Sequence, residues 1–410
     1  MHKRDIPILF TTRTLRLFAY GFVSVILVLY LIQVGLVESS VGILFSLTLA
    51  GDAGITLWLT TSADRLGRRK MLILGSLLMI LAGTVFLLTR NPALLVAAAI
   101  IGVISPSGNE IGPFLSIEQA ALSHLVPDQK RTQVFAWYNL AGYFATAFGA
   151  LLGGGVASLL QTRGVSEINS YRVILTGYVV VGLVLTVLFF ILSDSIEIKG
   201  EVLPIKRTLG LHKSKGVVVR LSALFAMDAF AGGIIVQSMM AYWFHVRWGV
   251  DEAVMGGLLF GANILAGISS LLAVRMAKRF GLIKTMVYTH IPSSIFLILV
   301  PIMPTLSLAI AALMARFSIS QMDVPTRQSY TMAVVSPDER SAAMGVTSIA
   351  RSVGAAFSPS LGGWLMSIPT LFSAPFFLCG GIKIIYDLIL YRSFTKLKPP
   401  EEIQKGIKNN

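Results

Sequence analysis

Apolar runs of roughly 20 residues, without period-2 alternation, follow one another along nearly the whole chain. That length is the hydrocarbon thickness of a bilayer divided by the rise of an α-helix. Backbone groups in lipid must be satisfied within the segment, so such runs predict helices rather than a barrel. Twelve spans are expected, near 13–34, 39–62, 71–89, 92–126, 130–160, 171–193, 217–245, 250–275, 283–302, 305–335, 339–367 and 370–391. The fourth, fifth, seventh, tenth and eleventh are longer than the bilayer is thick, so they should tilt, bend or protrude. The pattern divides the chain into a six-helix bundle at 1–193, a polar linker at 194–216, a second bundle at 217–392 and a tail at 393–410.

Composition agrees with a membrane protein. Of 410 residues, 55% are hydrophobic and 13% charged, about half the charged share of a soluble domain. The net charge of +14 would suit nucleic acid if the positives were clustered on one surface. They follow topology instead. With the N-terminus inside, 26 Lys and Arg fall on the cytoplasmic side, four on the outer connections (Arg90, Arg163, Arg172, Arg247) and four within spans (Arg316, Arg327, Arg351, Lys383). This is the positive-inside bias, and it puts both termini in the cytoplasm. No nucleic-acid partner is expected. The single cysteine, Cys379, excludes an intrachain disulfide and a cysteine metal cluster. The first apolar run lacks a small-residue cleavage site and reads as a span rather than a signal peptide.

An internal repeat supports the two bundles. "VGLVESSVGILF" (34–45) lies over "WGVDEAVMGGLL" (248–259), and "DRLGRRK" (64–70) over "KRFGLIK", both 214 residues apart. "HLVPDQKR" lies over "VVSPDER" near an offset of 210, and "FGALLGG" over "FSPSLGG" at 209. Twelve spans in a 6+6 arrangement, a long central loop and "DRLGRRK" between spans two and three resemble the major facilitator superfamily, across residues 13–392. Thr60 stands where that family's loop motif begins with glycine. The resemblance implies an all-α membrane fold of two pseudo-symmetric six-helix bundles. It also implies gating by Asp64, Arg65, Gly67, Arg68 and Arg69, with Asp64 near the start of span eleven, around Ser341. There a helix N-terminus would favour its charge. Plain capping of the loop is the other reading of Asp64.

The fourth span is interrupted by "SPSGNEIGPF" (105–114), and the tenth by "SISQMDVPTRQ" (318–328). Paired Gly and Pro interruptions in corresponding helices point to a substrate site near the midplane. Prolines alone could be simple kinks, but Glu110 at mid-depth needs a cavity, a partner or a proton. Asp52, Glu110 and Asp228 are the proton-coupling candidates, since low dielectric favours the protonated carboxyl. Glu118 and Asp387 read as nearer the cytoplasmic interface, pairing with Arg327 or Lys383, and His245 and His290 as interfacial. The embedded basic residues are either structural ion-pair partners or anchors for an anionic substrate. Asn109, Asn139, Tyr143, Gln237, Arg316, Gln321, Asp323 and Arg351 are the cavity candidates. Asn139 and Tyr143, four apart, share a helix face. "GALLGGG" and "SPSLGGW" resemble the glycine motif of proton-antiporting exporters, yet Ala150 replaces its proline and Ala145 an earlier glycine. Helix packing explains the same residues.

No metal-ligand spacing, phosphate loop or nucleophile–base pair is visible, so no cofactor and no enzyme activity are expected. The expected function is secondary active transport of a small solute by alternating access. It would take the form of proton-coupled export of a partly lipophilic compound by a monomer in the inner or plasma membrane. Uptake or exchange of an organic anion is the alternative. A non-transporting receptor or assembly partner is the other class, and it would leave the intramembrane acids dispensable.

Overall fold

The computed structural model describes residues 2–108, 112–197, 213–336, 339–395 and 397. Some helical side chains, those of Asp64 and Arg65 among them, fall outside the description. Sixteen α-helices and no strand occur among the described residues, and they make up twelve spans. Span one is α1 (His2–Ser24) and α2 (Leu27–Gln33), bent by 47°. Spans two and three are α3 (Glu38–Leu66) and α4 (Arg68–Leu88). Span four is broken into α5 (Pro92–Ile101) and α6 (Phe114–Leu125). Spans five and six are α7 (Asp128–Thr162) and α8 (Glu167–Ile191). Span seven joins α9 (Lys215–Ile234) to α10 (Gln237–Trp248) through extended backbone at Val236. Spans eight and nine are α11 (Glu252–Phe280) and α12 (Leu282–Leu299). Span ten is broken into α13 (Leu306–Ser320) and α14 (Asp323–Ala333). Spans eleven and twelve are α15 (Arg340–Met366) and α16 (Ala374–Phe394).

Length and apolarity alone pick out eight crossing helices among the described residues, and the bent span one makes a ninth. The other three are the two broken spans and α15, which is rich in serine, alanine and glycine. These three are the helices that a cavity, rather than lipid, can tolerate.

Two compact units form. Unit 1 holds Met1–Leu203 with Val236–Asn263, and unit 2 holds Pro204–Ile235 with Ile264–Asn410. The membership of 236–263 has a packing cause. A Cβ at Gly154 of α7 would stand 2.0 Å from the Glu252 carbonyl oxygen, and one at Gly256 would stand 2.6 Å from that of Ala150. Backbones this close admit only glycine. Tyr242 also donates to Glu38 at 2.6 Å, while Tyr171 and Gln161 donate to buried Glu252.

Each unit is built on one tight helix crossing. In unit 1, a Cβ at Gly149 or Gly153 of α7 would meet the α1 carbonyl oxygen of Phe18 or Phe22 at 2.1 or 2.2 Å. In unit 2, one at Gly354 or Gly362 of α15 would meet that of Ala226 or Ile234 on α9 at 2.3 or 1.9 Å. Phe22 and Ile234 are 212 residues apart, and Gly153 and Gly362 are 209 apart. The same crossing is therefore made twice, from equivalent positions.

Candidate functional site

In unit 2 five helices deliver charge to one buried point. Asp228 of α9 is 3% exposed. Its Oδ1 accepts from Lys383 Nζ of α16 at 2.7 Å. Its Oδ2 accepts from Arg351 of α15 at 3.0 Å and from Arg327 of α14 at 3.2 Å. Arg327 also bonds Asp323, one turn earlier on α14, at 2.8 Å. From α12, His290 sets Nδ1 3.0 Å from Asp387 Oδ2, with Nε2 3.3 Å from Lys383 Nζ and 3.8 Å from Asp228 Oδ1. Asp228, Asp323, Asp387, His290 and Arg327 are all buried, whereas the Arg351 side chain keeps 33% exposure. Ions so far from water persist only when paired and hydrogen-bonded, and one carboxylate here serves three cations.

Arg316 stands apart. It is half-buried on α13, near Cys379, which lies one turn before Lys383 on α16. Its Nε is buried without a hydrogen-bond partner, and the guanidinium makes no ion pair among the described residues.

Unit 1 carries a second cluster, closed on itself. Glu118 of α6 accepts from Arg16 of α1 at 2.9 and 2.7 Å, a two-pronged pair in which both side chains have no exposure. Thr12 donates to it at 2.8 Å, and the Tyr138 hydroxyl of α7 donates as well. Arg16 and Asp228 are 212 residues apart, and Glu118 and Arg327 are 209 apart. These are the offsets of the two helix crossings. The repeat thus preserves an ion pair but exchanges its signs: cation on α1 and acid on α6, acid on α9 and cation on α14.

The remaining candidates scatter. Asp52 of α3 receives the backbone N–H of Gly112 at 2.6 Å and the Thr56 hydroxyl at 3.3 Å. It thereby fastens the end of the break in span four, where Gly112 has φ +83°, a value that suits glycine. Asn109 and Glu110 lie outside the described residues. Asn139 accepts from Arg13 at 3.3 Å, and Tyr143 follows one turn later, half-buried. Gln237 donates to Ser24 at 3.0 Å and accepts from Asn263 at 3.4 Å. The Gln321 backbone N–H, at the break in span ten, donates to Ser269 at 3.3 Å. So Asp228, Asp323, Arg327 and Arg351 come together in unit 2. Asp52, Asn139, Tyr143 and Gln237 belong to unit 1.

Of the loop motif, Gly67 takes φ +105° between α3 and α4. Glu197 then caps α4, accepting the N–H groups of Arg68 at 2.7 Å and Arg69 at 3.1 Å. The Arg68 and Arg69 guanidinium groups bond the Ile196 and Leu192 carbonyls. The described contacts of this loop are therefore with the end of α8 and its continuation. The contact expected of Asp64 lies outside the described side chains.

Two expectations need correction. His290 is buried against Asp228, Lys383 and Asp387, because α12 begins at Leu282 and carries it two turns inward. Glu118 pairs with Arg16 rather than with Arg327 or Lys383, since α6 packs beside α1. Asp387 is fully buried, met by His290, and one turn after Lys383 on α16. Sequence reasoning missed Arg16 by counting it among the topological positives. The signal lay in the repeat, at the offsets that match Arg16 to Asp228 and Glu118 to Arg327.

Twelve spans in two units, two of them broken at equivalent places, with a charged centre in membrane-embedded helices, define a multi-pass transport protein. The family model of the Major Facilitator Superfamily matches residues 9–247 and 221–409, and the chain belongs to that superfamily of secondary transporters. It is 30% identical to the uncharacterized membrane protein YJR124C of Saccharomyces cerevisiae, over 95% of this chain and 93% of that one. Among solved structures it is similar to a bacterial homologue of the human lysosomal transporter Spinster. There the TM-score is 0.72 at 17% identity, over 96% of this chain and 97% of that one. A bacterial homologue of the iron transporter ferroportin gives 0.72 at 14% identity, over 95% and 98%.

Proposed function

We propose that the protein carries a small organic anion across the membrane by alternating access. One observation supports this above the others. One embedded cation is left without a counter-ion. Arg327, Arg351 and Lys383 match Asp228, Asp323 and Asp387 charge for charge, whereas Arg316, apart from that centre on α13 and over the Phe317 ring at 5.1 Å, makes no ion pair among the described residues. An uncompensated charge at this depth costs several kcal/mol, and a bound anion removes the cost. Arg351 spends one nitrogen on Asp228 and is a third exposed, so its guanidinium keeps donors for a carboxylate, sulfonate or phosphonate.

The exporter-like glycines carry no argument for a lipophilic cargo. Gly149, Gly153 and Gly362 are each required by packing, since a Cβ there would stand 2.2 Å or less from a facing carbonyl oxygen.

The test is thermal shift on the purified full chain with benzoate, benzenesulfonate, benzyl alcohol and benzylamine, which share one ring and differ in charge. The two anions should raise Tm, by the equivalent of about 2.7 kcal/mol at a hundredfold excess over Kd. Arg316→Gln and Arg351→Gln should each remove the shift. Stabilisation by the alcohol or the amine, with none from the anions, refutes the reading.

A further inference from the structure

We propose that the groove between spans nine and twelve binds an anionic glycerophospholipid, at the end of unit 2 that the positive-inside distribution gives to the cytoplasm.

Two contacts define the groove. Gly380 of α16 meets Ser294 and Ile298 of α12, where a Cβ would stand 2.9 Å from the Ser294 carbonyl oxygen. Tyr391 of α16 meets Tyr288 of α12. The two helices are therefore antiparallel, touching closely at one level and through aromatic rings at the other. The rings stack with centroids 6.1 Å apart, yet Tyr288 keeps 54% exposure. The pair forms the floor of a groove that opens at the surface of unit 2.

Three chemistries follow one another along it. First come Lys284, one turn before Tyr288, and Arg392, next to Tyr391. Both are exposed, and neither makes an ion pair among the described residues. The tyrosine hydroxyls come next, with their oxygens 3.5 Å apart. That is long for an O–H···O bond, so neither proton is committed to the other ring and one outside oxygen can accept from both. Beyond the rings, Ile295 of α12 and Ile385 and Leu388 of α16 are exposed aliphatics. Tyr288 lies about 9 Å from the start of α12 and Tyr391 about 5 Å from the end of α16, by the helical rise. Tyrosine is enriched at that depth, where headgroups give way to acyl chains.

A phospholipid presents the same order: headgroup charge, phosphodiester and ester oxygens, then hydrocarbon. Two cations without counter-ions select a headgroup of net negative charge, since a choline or ethanolamine head would set its own cation beside Lys284 and Arg392. A soluble anion would leave the aliphatic stretch unused. Basic pockets between membrane helices on the cytoplasmic side hold lipids of this kind. Bound here, the lipid bridges the two helices that carry His290, Lys383 and Asp387 to the Asp228 centre. It braces the frame of that centre from the bilayer.

The test is native mass spectrometry of the detergent-purified full chain, titrated with dioleoylphosphatidylserine and with dioleoylphosphatidylcholine. The serine lipid should be retained about tenfold more tightly or better, as two cations at a membrane surface allow. Lys284→Gln with Arg392→Gln should remove that preference and leave choline-lipid retention unchanged. Lys284→Arg with Arg392→Lys should keep it. Arg4→Gln with Lys70→Gln takes the same charge from exposed positions of unit 1 and should also keep it. Equal retention of the two lipids by the native chain overturns the proposal. So does a preference that survives the Lys284 and Arg392 glutamine pair, or one that falls equally with the unit 1 pair. Displacement of the serine lipid by sodium phosphate at about a hundredfold excess would mark a soluble-anion site instead and overturn it too.

Discussion

Replacing Glu118 by glutamine would strand Arg16 with its charge in a site that has no exposure. The carboxylate receives two N–H bonds from Arg16, one hydroxyl from Thr12 and one from Tyr138. A carboxamide has one acceptor oxygen and no charge, so it can satisfy part of this set without neutralising the guanidinium. Breaking a buried pair from one side costs about 3–5 kcal/mol. In a folding unit of this size each kcal/mol lowers Tm by about 2–4 °C, so Glu118→Gln should lower it by about 6–20 °C. Scanning fluorimetry on detergent-purified protein reads this directly. The double variant Arg16→Gln with Glu118→Gln should recover most of the loss, because two amides can bond each other without charge. A coupling energy above about 2 kcal/mol is expected, within the range for residues in contact. The exchange Arg16→Glu with Glu118→Arg should also exceed either single variant in stability, since unit 2 already uses that polarity. Additive losses in the double variant, or a fall below about 2 °C in the single, would refute the pair as a structural element.

Gly362→Ala should cost stability by overpacking, about 1–3 kcal/mol, because its Cβ would stand 1.9 Å from the Ile234 carbonyl oxygen. Gly381→Ala, with nothing within 4 Å of the new carbon, should leave Tm unchanged or higher; equal effects would contradict the crossing. Asp52→Asn keeps an acceptor for the Gly112 N–H and should preserve both Tm and pH-driven transport, whereas Asp52→Ala should lower Tm through the lost hydrogen bond, by about 1–3 kcal/mol. Loss of pH-driven transport in a stable Asp52→Asn protein would return Asp52 to the proton path. Benzenesulfonate, which stays ionised, should enter proteoliposomes faster than protein-free vesicles, and Arg351→Gln should remove the difference. Equal entry with and without the protein would contradict the anion reading.

The breaks in spans four and ten were legible because Gly, Pro and polar residues cluster there, at residues 105–114 and 318–328, inside otherwise apolar runs. Spacing also placed Asp228, Arg327, Arg351 and Lys383 within the membrane. Pairing was not legible, because it depends on which helices cross. Arg16 looked like an inner-surface positive because hydropathy starts span one near residue 13, while α1 already begins at His2 and runs through Pro7. His290 lies only two turns into α12, a depth at which a histidine reads as interfacial until Asp387 and Lys383 are seen around it. A repeat search rewards identity, so an arginine aligned with an aspartate, and a glutamate with an arginine, counts as mismatch even where it preserves the contact.

The opposite polarity of the two ion pairs makes the halves of the gene electrically non-interchangeable. A recombination event that copied the first half's fourth helix over the tenth would set a glutamate against Asp228. The reverse copy would set Arg16 against an arginine. Either product would hold two like charges a few ångströms apart in hydrocarbon and would fail to fold. Duplicated segments that are otherwise free to overwrite each other are in this way kept distinct by electrostatics alone.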